Sequence, residues 1–141
     1  ILIADKTDKI NKIIMKKISN ILIKGFHCTN LILIAFYLYP RSILGHVFYN
    51  NSSIQPQITR DFLISSNHFY VFFFLSIIGI LAYMNTKKIN FLTNYLFLLS
   101  IVLEFFHMFI PNRSFELKDL FGNIIGVTIV VVIYKIKKKY E

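Results

Sequence analysis

Four apolar runs, each close to the length of a bilayer core, organise the chain. They cover roughly residues 18–39, 62–84, 91–110 and 117–134. A hydrocarbon core about 30 Å thick takes about 20 residues of α-helix, so the pattern predicts four transmembrane helices. The second run, "FLISSNHFYVFFFLSIIGILAYM", and the third, "FLTNYLFLLSIVLEFFHMFI", are interrupted by few polar residues. The fourth is short, and Tyr134 with Lys135 is placed to anchor it at the headgroups. Ahead of the first run, Ile10, Ile13, Ile14 and Ile18 recur at helical spacing with lysines between them. That pattern predicts an amphipathic segment lying along the membrane surface.

Composition agrees with a membrane protein. Of the 141 residues, 55% are hydrophobic and only 16% charged, against roughly 25% charged in soluble domains. The single Cys28 excludes an internal disulfide. The first apolar run is too long for the core of a signal peptide and is followed by no small-x-small site, so no cleavable leader is expected. Lys and Arg exceed Asp and Glu by 16 to 7, a balance that in a soluble chain points to nucleic acid. Here the lysines flank apolar runs, and no solvated basic face exists to bind a nucleic acid.

Charge predicts orientation. Lys6, Lys9, Lys12, Lys16 and Lys17 precede the first run, Lys87 and Lys88 separate the second and third, and Lys135, Lys137, Lys138 and Lys139 close the chain. With four spans these segments share one side, and only Arg41, Arg60, Arg113 and Lys118 fall on the other. Basic loops stay inside. The expected fold is therefore an all-α integral membrane four-helix bundle with both termini cytoplasmic. It divides into a cytoplasmic basic amphipathic segment (1–17), a four-span domain (18–134) and a cytoplasmic basic tail (135–141).

Against this background, "LEFFHMFIPNRSFELKDLFGNIIG" (103–126) is anomalous, because it sets ionisable groups at the edge of the hydrocarbon. At 1.5 Å rise per residue, Glu104 lies about 9 Å below the outer end of the third run, with His107 one turn nearer the surface. His68, with Asn67 beside it, lies about 9 Å into the second run, and Asn123 about 6 Å beyond Asp119 in the fourth. Three helices thus bring polar groups to one depth in the outer leaflet. Glu104 and His107 share a helix face at i, i+3, and Asp119 and Asn123 share one at i, i+4. Gly122 and Gly126 form a small-xxx-small step that lets another helix approach. Ionised Glu104 needs a basic partner in such a place. His68, His107 and Arg113 are the candidates, and Arg113, placed just after Pro111, is expected to fold back toward it. Two readings stay open: a buried polar network that locks helix packing, or a binding or catalytic site. On the first span Lys24 is expected to snorkel, and His27 and Asn30 to turn toward neighbouring helices.

These residues resemble the signature of the VanZ-like membrane family. That pattern is Glu-x-x-Gln, a short apolar step, Pro-x-Arg, then Asp and Asn-x-x-Gly in the last span. Here it is carried by Glu104, Pro111, Arg113, Asp119, Asn123 and Gly126. "NHFYVFFFL" is similar to the family's His-Phe motif, at His68 and Phe69, and "YLYPRS" to its Leu-x-x-Pro exit, at Pro40. The resemblance covers residues 31–134. Two positions depart from it: His107 stands where Gln is usual, adding a titratable group, and Ile64 and Ser65 replace an Asp and the Lys that often follows it.

The resemblance implies a multi-pass protein of the bacterial cytoplasmic (inner) membrane with a cell-envelope role. The family takes its name from a protein linked to low-level teicoplanin resistance. Two functions are set beside each other. In one, an outer-leaflet pocket binds a membrane lipid or a lipid-linked envelope precursor through an anionic headgroup, with Arg113, Asp119, Asn123 and Asn67 as binding residues. In the other, a membrane-embedded transferase or hydrolase acts on such a lipid, with Glu104, His107 and His68 as acid and base. No Ser or Cys stands beside a base in the motif, which argues against a covalent acyl intermediate. No cofactor is expected. Glu104-x-x-His107, with His68 and Asp119, offers an N/O donor set for zinc or manganese, but the usual Gln at position 107 weighs against a shared metal mechanism, and none is expected.

Overall fold

The computed structural model describes residues 2–140, with side chains from Lys9 to Tyr140; Lys6, among the basic residues used for orientation, lies outside those side chains. The described residues form five helices and no strand: α1 (Leu2–Leu38), α2 (Ile43–Tyr49), α3 (Ser66–Tyr83), α4 (Ile89–Phe106) and α5 (Leu117–Tyr140). Stretches within four of these, Lys9–Leu38 of α1 and the whole of α3, α4 and α5, are long and apolar enough to cross a membrane.

Local chemistry sets the helix ends. α1 stops at Leu38 because Pro40 disfavours helical geometry at Tyr39 and offers no N–H of its own. It runs without a break through residue 17, so the basic amphipathic segment is continuous with the first span. Almost every side chain from Lys9 to Ile21 is exposed.

The second span begins four residues later than the apolar run suggests. Phe62 and Leu63 are exposed and non-helical. The carboxylate of Asp61 accepts the Ser66 N–H at 2.8 Å, and the Ser66 hydroxyl donates to the Thr59 carbonyl. This side-chain capping starts α3 at Ser66. At the other polar-end boundary α4 stops at Phe106, short of the expected Ile110. His107, Met108 and Phe109 donate to carbonyls three residues back, a tightening common where a helix ends ahead of proline. Asn112 then takes a left-handed φ of 61° to turn the chain. α5 continues through Tyr140, so the basic tail is helical.

The 40–61 connection between the first two apolar runs contains α2. Its first turn is capped by the Ser42 hydroxyl, which accepts the Gly45 N–H at 2.8 Å.

The bundle is built on a close α3–α5 contact. Both helices start at the polar end, so they run parallel. A methyl placed on Gly122 would lie 2.8 Å from the Ser65 carbonyl oxygen, and one on Gly126 2.6 Å from that of Phe69. Only glycine lets the two backbones meet so closely, which is the small-xxx-small packing that the sequence suggests. Phe72, Leu75, Leu96 and Val127 fill the centre and are almost wholly buried. Leu31, Leu81, Phe91 and Leu98 face outward, as apolar side chains do on a surface solvated by lipid. At the lysine-rich end His27 meets the Tyr83 hydroxyl at 2.9 Å, and Asn30 donates to the Tyr95 hydroxyl. Both polar groups of α1 therefore turn inward to neighbouring helices, as their shared face predicts.

Candidate functional site

At the polar end, α1 and α4 finish and α3 and α5 begin. Each delivers a polar side chain to one buried point. α4 supplies Glu104, which has no exposed surface, and His107, which is 2% exposed; α3 supplies His68; α5 supplies Asn123 and Asp119. These are the residues whose depths the sequence places together.

The hub is Tyr37 of α1. Its hydroxyl donates to Asn123 Oδ1 at 2.8 Å and lies 3.1 Å from His68 Nδ1. Its ring stacks on His107 with centroids 5.5 Å apart, and its carbonyl oxygen lies 3.2 Å from His107 Nε2. The sequence reading missed Tyr37. The available signal was its place one helical turn before Pro40 at the polar end, where a buried phenol needs a partner.

The network fixes several protons. Asn123 Nδ2 donates to the Ser100 carbonyl at 3.1 Å, so its Oδ1 faces Tyr37 and takes the phenolic hydrogen. The phenolic oxygen is then an acceptor toward His68, which must carry its hydrogen on Nδ1. Similarly, His107 Nε2 faces a carbonyl and so bears hydrogen. His107 Nδ1 lies 3.3 Å from Glu104 Oε1.

Glu104 Oε1 also accepts the backbone N–H of Glu116 at 3.1 Å. Glu116 immediately precedes α5, so Glu104 caps the entry to that helix from across the bundle, the task a capping-box glutamate performs locally. The second oxygen is different. Glu104 Oε2 is buried and has no hydrogen-bond partner among the described residues. His68 Nδ1 lies 3.6 Å from it. On the opposite edge of the same ring, His68 Nε2 lies 3.3 Å from Asp119 Oδ2.

Arg113 takes a different partner from the one expected. It forms no ion pair with Glu104 among the described residues. Its Nε donates to the Tyr39 carbonyl at 3.2 Å, and Nη2 to those of Phe36 and Arg41 at 3.4 Å. The end of α1 leaves carbonyls without intrahelical donors, and a guanidinium satisfies them while matching the negative end of the helix dipole. Asn67 is also diverted. Its side chain donates to the Pro56 carbonyl and accepts the Ile58 N–H at 2.9 Å, which ties the 40–61 connection to α3.

Two cavities meet here. One, of about 490 Å³, lies between α1, α2 and α3 and is walled by Ile32, Phe36, Phe48, Val71 and Phe74 among others. The other, of about 440 Å³, opens at the bundle end and is lined by Arg41, Asp61, Asn112, Glu116 and Asp119. Both are bordered by Ser42, Asn67, His68, His107 and Arg113. Glu104 lines neither and sits behind the two histidines.

The family model described as VanZ/LLP1 matches residues 5–138. Comparison with curated proteins and with solved structures found no match.

Proposed function

The chain belongs to the VanZ/LLP1 family, and from that premise we propose that it is an envelope protein of the bacterial inner membrane, with both termini cytoplasmic, that binds an amphiphilic lipid at its outer end. The observation that carries this reading is the junction of an apolar cavity with a polar one across His68, His107 and Arg113. A lipid has the same division: acyl or isoprenoid chain against Ile32, Phe36, Val71 and Phe74, headgroup among the charged side chains.

The polar wall carries both signs. Arg41 and Arg113 suit a phosphate, while Asp61, Glu116 and Asp119 accept hydrogen bonds from hydroxyl or amino groups. A headgroup joining phosphate to a sugar or another donor-bearing group matches this set, as a lipid-linked wall precursor does. Sequestering or presenting such a lipid is a route to the resistance phenotype for which the family is named.

Native mass spectrometry of the detergent-purified protein tests the reading. Phosphatidylglycerol adducts should outlast phosphatidylcholine adducts of equal chain length. Val71→Trp, which fills the apolar cavity, should weaken both, and Arg41→Gln should remove the preference. Adducts indifferent to both substitutions would end the proposal.

One observation favours a catalytic version. His68 and His107 both border the cavities with a carboxylate against the ring, but the partner of His68 Nε2, Asp119, itself lines the polar cavity, whereas the partner of His107, Glu104, is enclosed. Turnover of a lipid-linked pyrophosphate that disappears in His68→Gln would make the protein a transferase or hydrolase.

A further inference from the structure

Three donor side chains from three helices converge on one small volume. His68, Glu104 and Asp119 each place a ligand-capable atom within 4.8 Å of the others. His68 and Glu104 are buried, and Asp119 keeps one edge toward the polar cavity. We propose that these three residues form a divalent-cation site, suited to zinc, at the inner wall of the polar cavity.

The hydrogen-bond network points to an occupant. Because Tyr37 gives its hydrogen to Asn123, the His68 hydrogen is held on Nδ1, and the Nε2 lone pair is directed at Asp119. A lone pair facing a carboxylate needs a positive centre between them. A second proton on His68 satisfies Asp119 but does nothing for Glu104 Oε2, which is buried with no donor among the described residues. His68 Nδ1, 3.6 Å from that oxygen, already directs its hydrogen at Tyr37. A cation on Nε2 and Oδ2, with Glu104 Oε2 rotated in from the Nδ1 edge of the ring, would satisfy all three atoms together.

The surroundings are those of a metal ligand. An imidazole that binds metal through one nitrogen donates the other N–H to a fixed acceptor, and Tyr37 is that acceptor. One imidazole with two carboxylates is a donor set for zinc or manganese rather than for calcium, which takes six to eight oxygens. Zinc–ligand bonds of about 2.0–2.2 Å put neighbouring donors roughly 3.0–3.5 Å apart, so donors as far apart as 4.8 Å must close by roughly 1.3–1.8 Å through side-chain rotation. His107 is outside the group of donor atoms that lie within 4.8 Å of one another, and its Nε2 is held by the Tyr37 carbonyl. A fourth position stays open to the cavity for water or an incoming oxygen. The inference does not rest on lipid binding, and its test uses metal alone.

The full chain, purified in detergent without a histidine tag and stripped with chelator, is titrated with zinc against a chromophoric competitor. Cobalt substitution reports the ligand field. The expected result is saturable binding of a single zinc per chain, with magnesium failing to compete. Asp119→Asn and His68→Gln should each weaken binding at least roughly 10-fold, and Tyr37→Phe, which removes the hydroxyl shared by His68 and Asn123, by roughly 10–100-fold. His46→Gln, on the exposed face of α2, should change nothing. Asp119 is the least enclosed of the three, so its amide variant carries the test if His68→Gln fails to fold. Absence of saturable zinc binding overturns the site, as does binding that survives both ligand substitutions. Either result leaves the lipid reading standing on its own adduct measurements.

Discussion

Replacing Gly126 with alanine is expected to force α3 and α5 apart. The added methyl would lie 2.6 Å from the Phe69 carbonyl oxygen, 3.0 Å from the Phe73 nitrogen and 3.3 Å from Phe72 Cβ. The closest contact falls about 0.8 Å short of an ordinary 3.4 Å separation. The two nearest obstacles are backbone atoms, so no rotamer change relieves them and the helices must move. Overpacking of this kind costs about 1–3 kcal/mol, and a backbone clash belongs at the upper end. Against that stands a gain of about 0.8–1.0 kcal/mol for alanine over glycine in a helix. The net loss is about 2 kcal/mol, or a fall of about 4–8 °C in Tm for a chain of this size. Gly25→Ala is the internal control. Nothing lies within 4 Å of its added methyl, so the same chemical change should raise Tm by about 2–4 °C through propensity alone. Because α3 carries His68 and α5 carries Asp119 and Asn123, separation at Gly126 should also lengthen the His68–Asp119 contact and weaken zinc binding. Thermal unfolding of the three proteins in one detergent measures the first effect. A Gly126→Ala protein that melts at or above the parent's temperature would refute the close-packed α3–α5 contact.

Three other outcomes are expected. Tyr37→Phe keeps the ring stacked on His107 but strips partners from His68 and Asn123, so it should cost about 1–3 kcal/mol by thermal or denaturant unfolding; an unchanged protein would show that the hydroxyl is not the hub. Arg113→Met should destabilise through lost capping of α1 by about 1–2 kcal/mol, and adding Glu104→Gln should change stability additively, because the two side chains have no shared partner. A coupling above about 1 kcal/mol in that cycle would restore the ion pair that the sequence suggests. In a variant whose Cys28 is replaced, cysteines at Ser53 and Ser114 should react with an impermeant reagent applied to whole cells, and one at Asn85 should react only after lysis; the reverse pattern would invert the topology.

Much of this protein is local, and what is local is legible in the sequence. Helix-length apolar runs separated by basic segments set the number of spans, because transfer into hydrocarbon depends on the length and composition of each run, not on its neighbours. The i, i+3 pair Glu104–His107 and the i, i+4 pair Asp119–Asn123 were readable as helix faces, and counting residues from the span ends placed His68 at their depth. The glycine step was readable as a packing surface. Partner choice was not. It depends on how each helix is rotated about its axis and on which acceptors lie nearest, and both are set by packing between distant segments. Arg113 follows the proline turn toward Glu104 in sequence, yet the unpaired carbonyls at the end of α1 are closer and hold it. Asn67 neighbours His68, but successive helical residues point about 100° apart, so one enters the cluster and the other clamps the 56–58 segment. Tyr37 lies 31 residues from His68 and 86 from Asn123 along the chain. Only the close approach of α3 and α5 at Gly122 and Gly126, with α1 packed alongside, brings its hydroxyl between them.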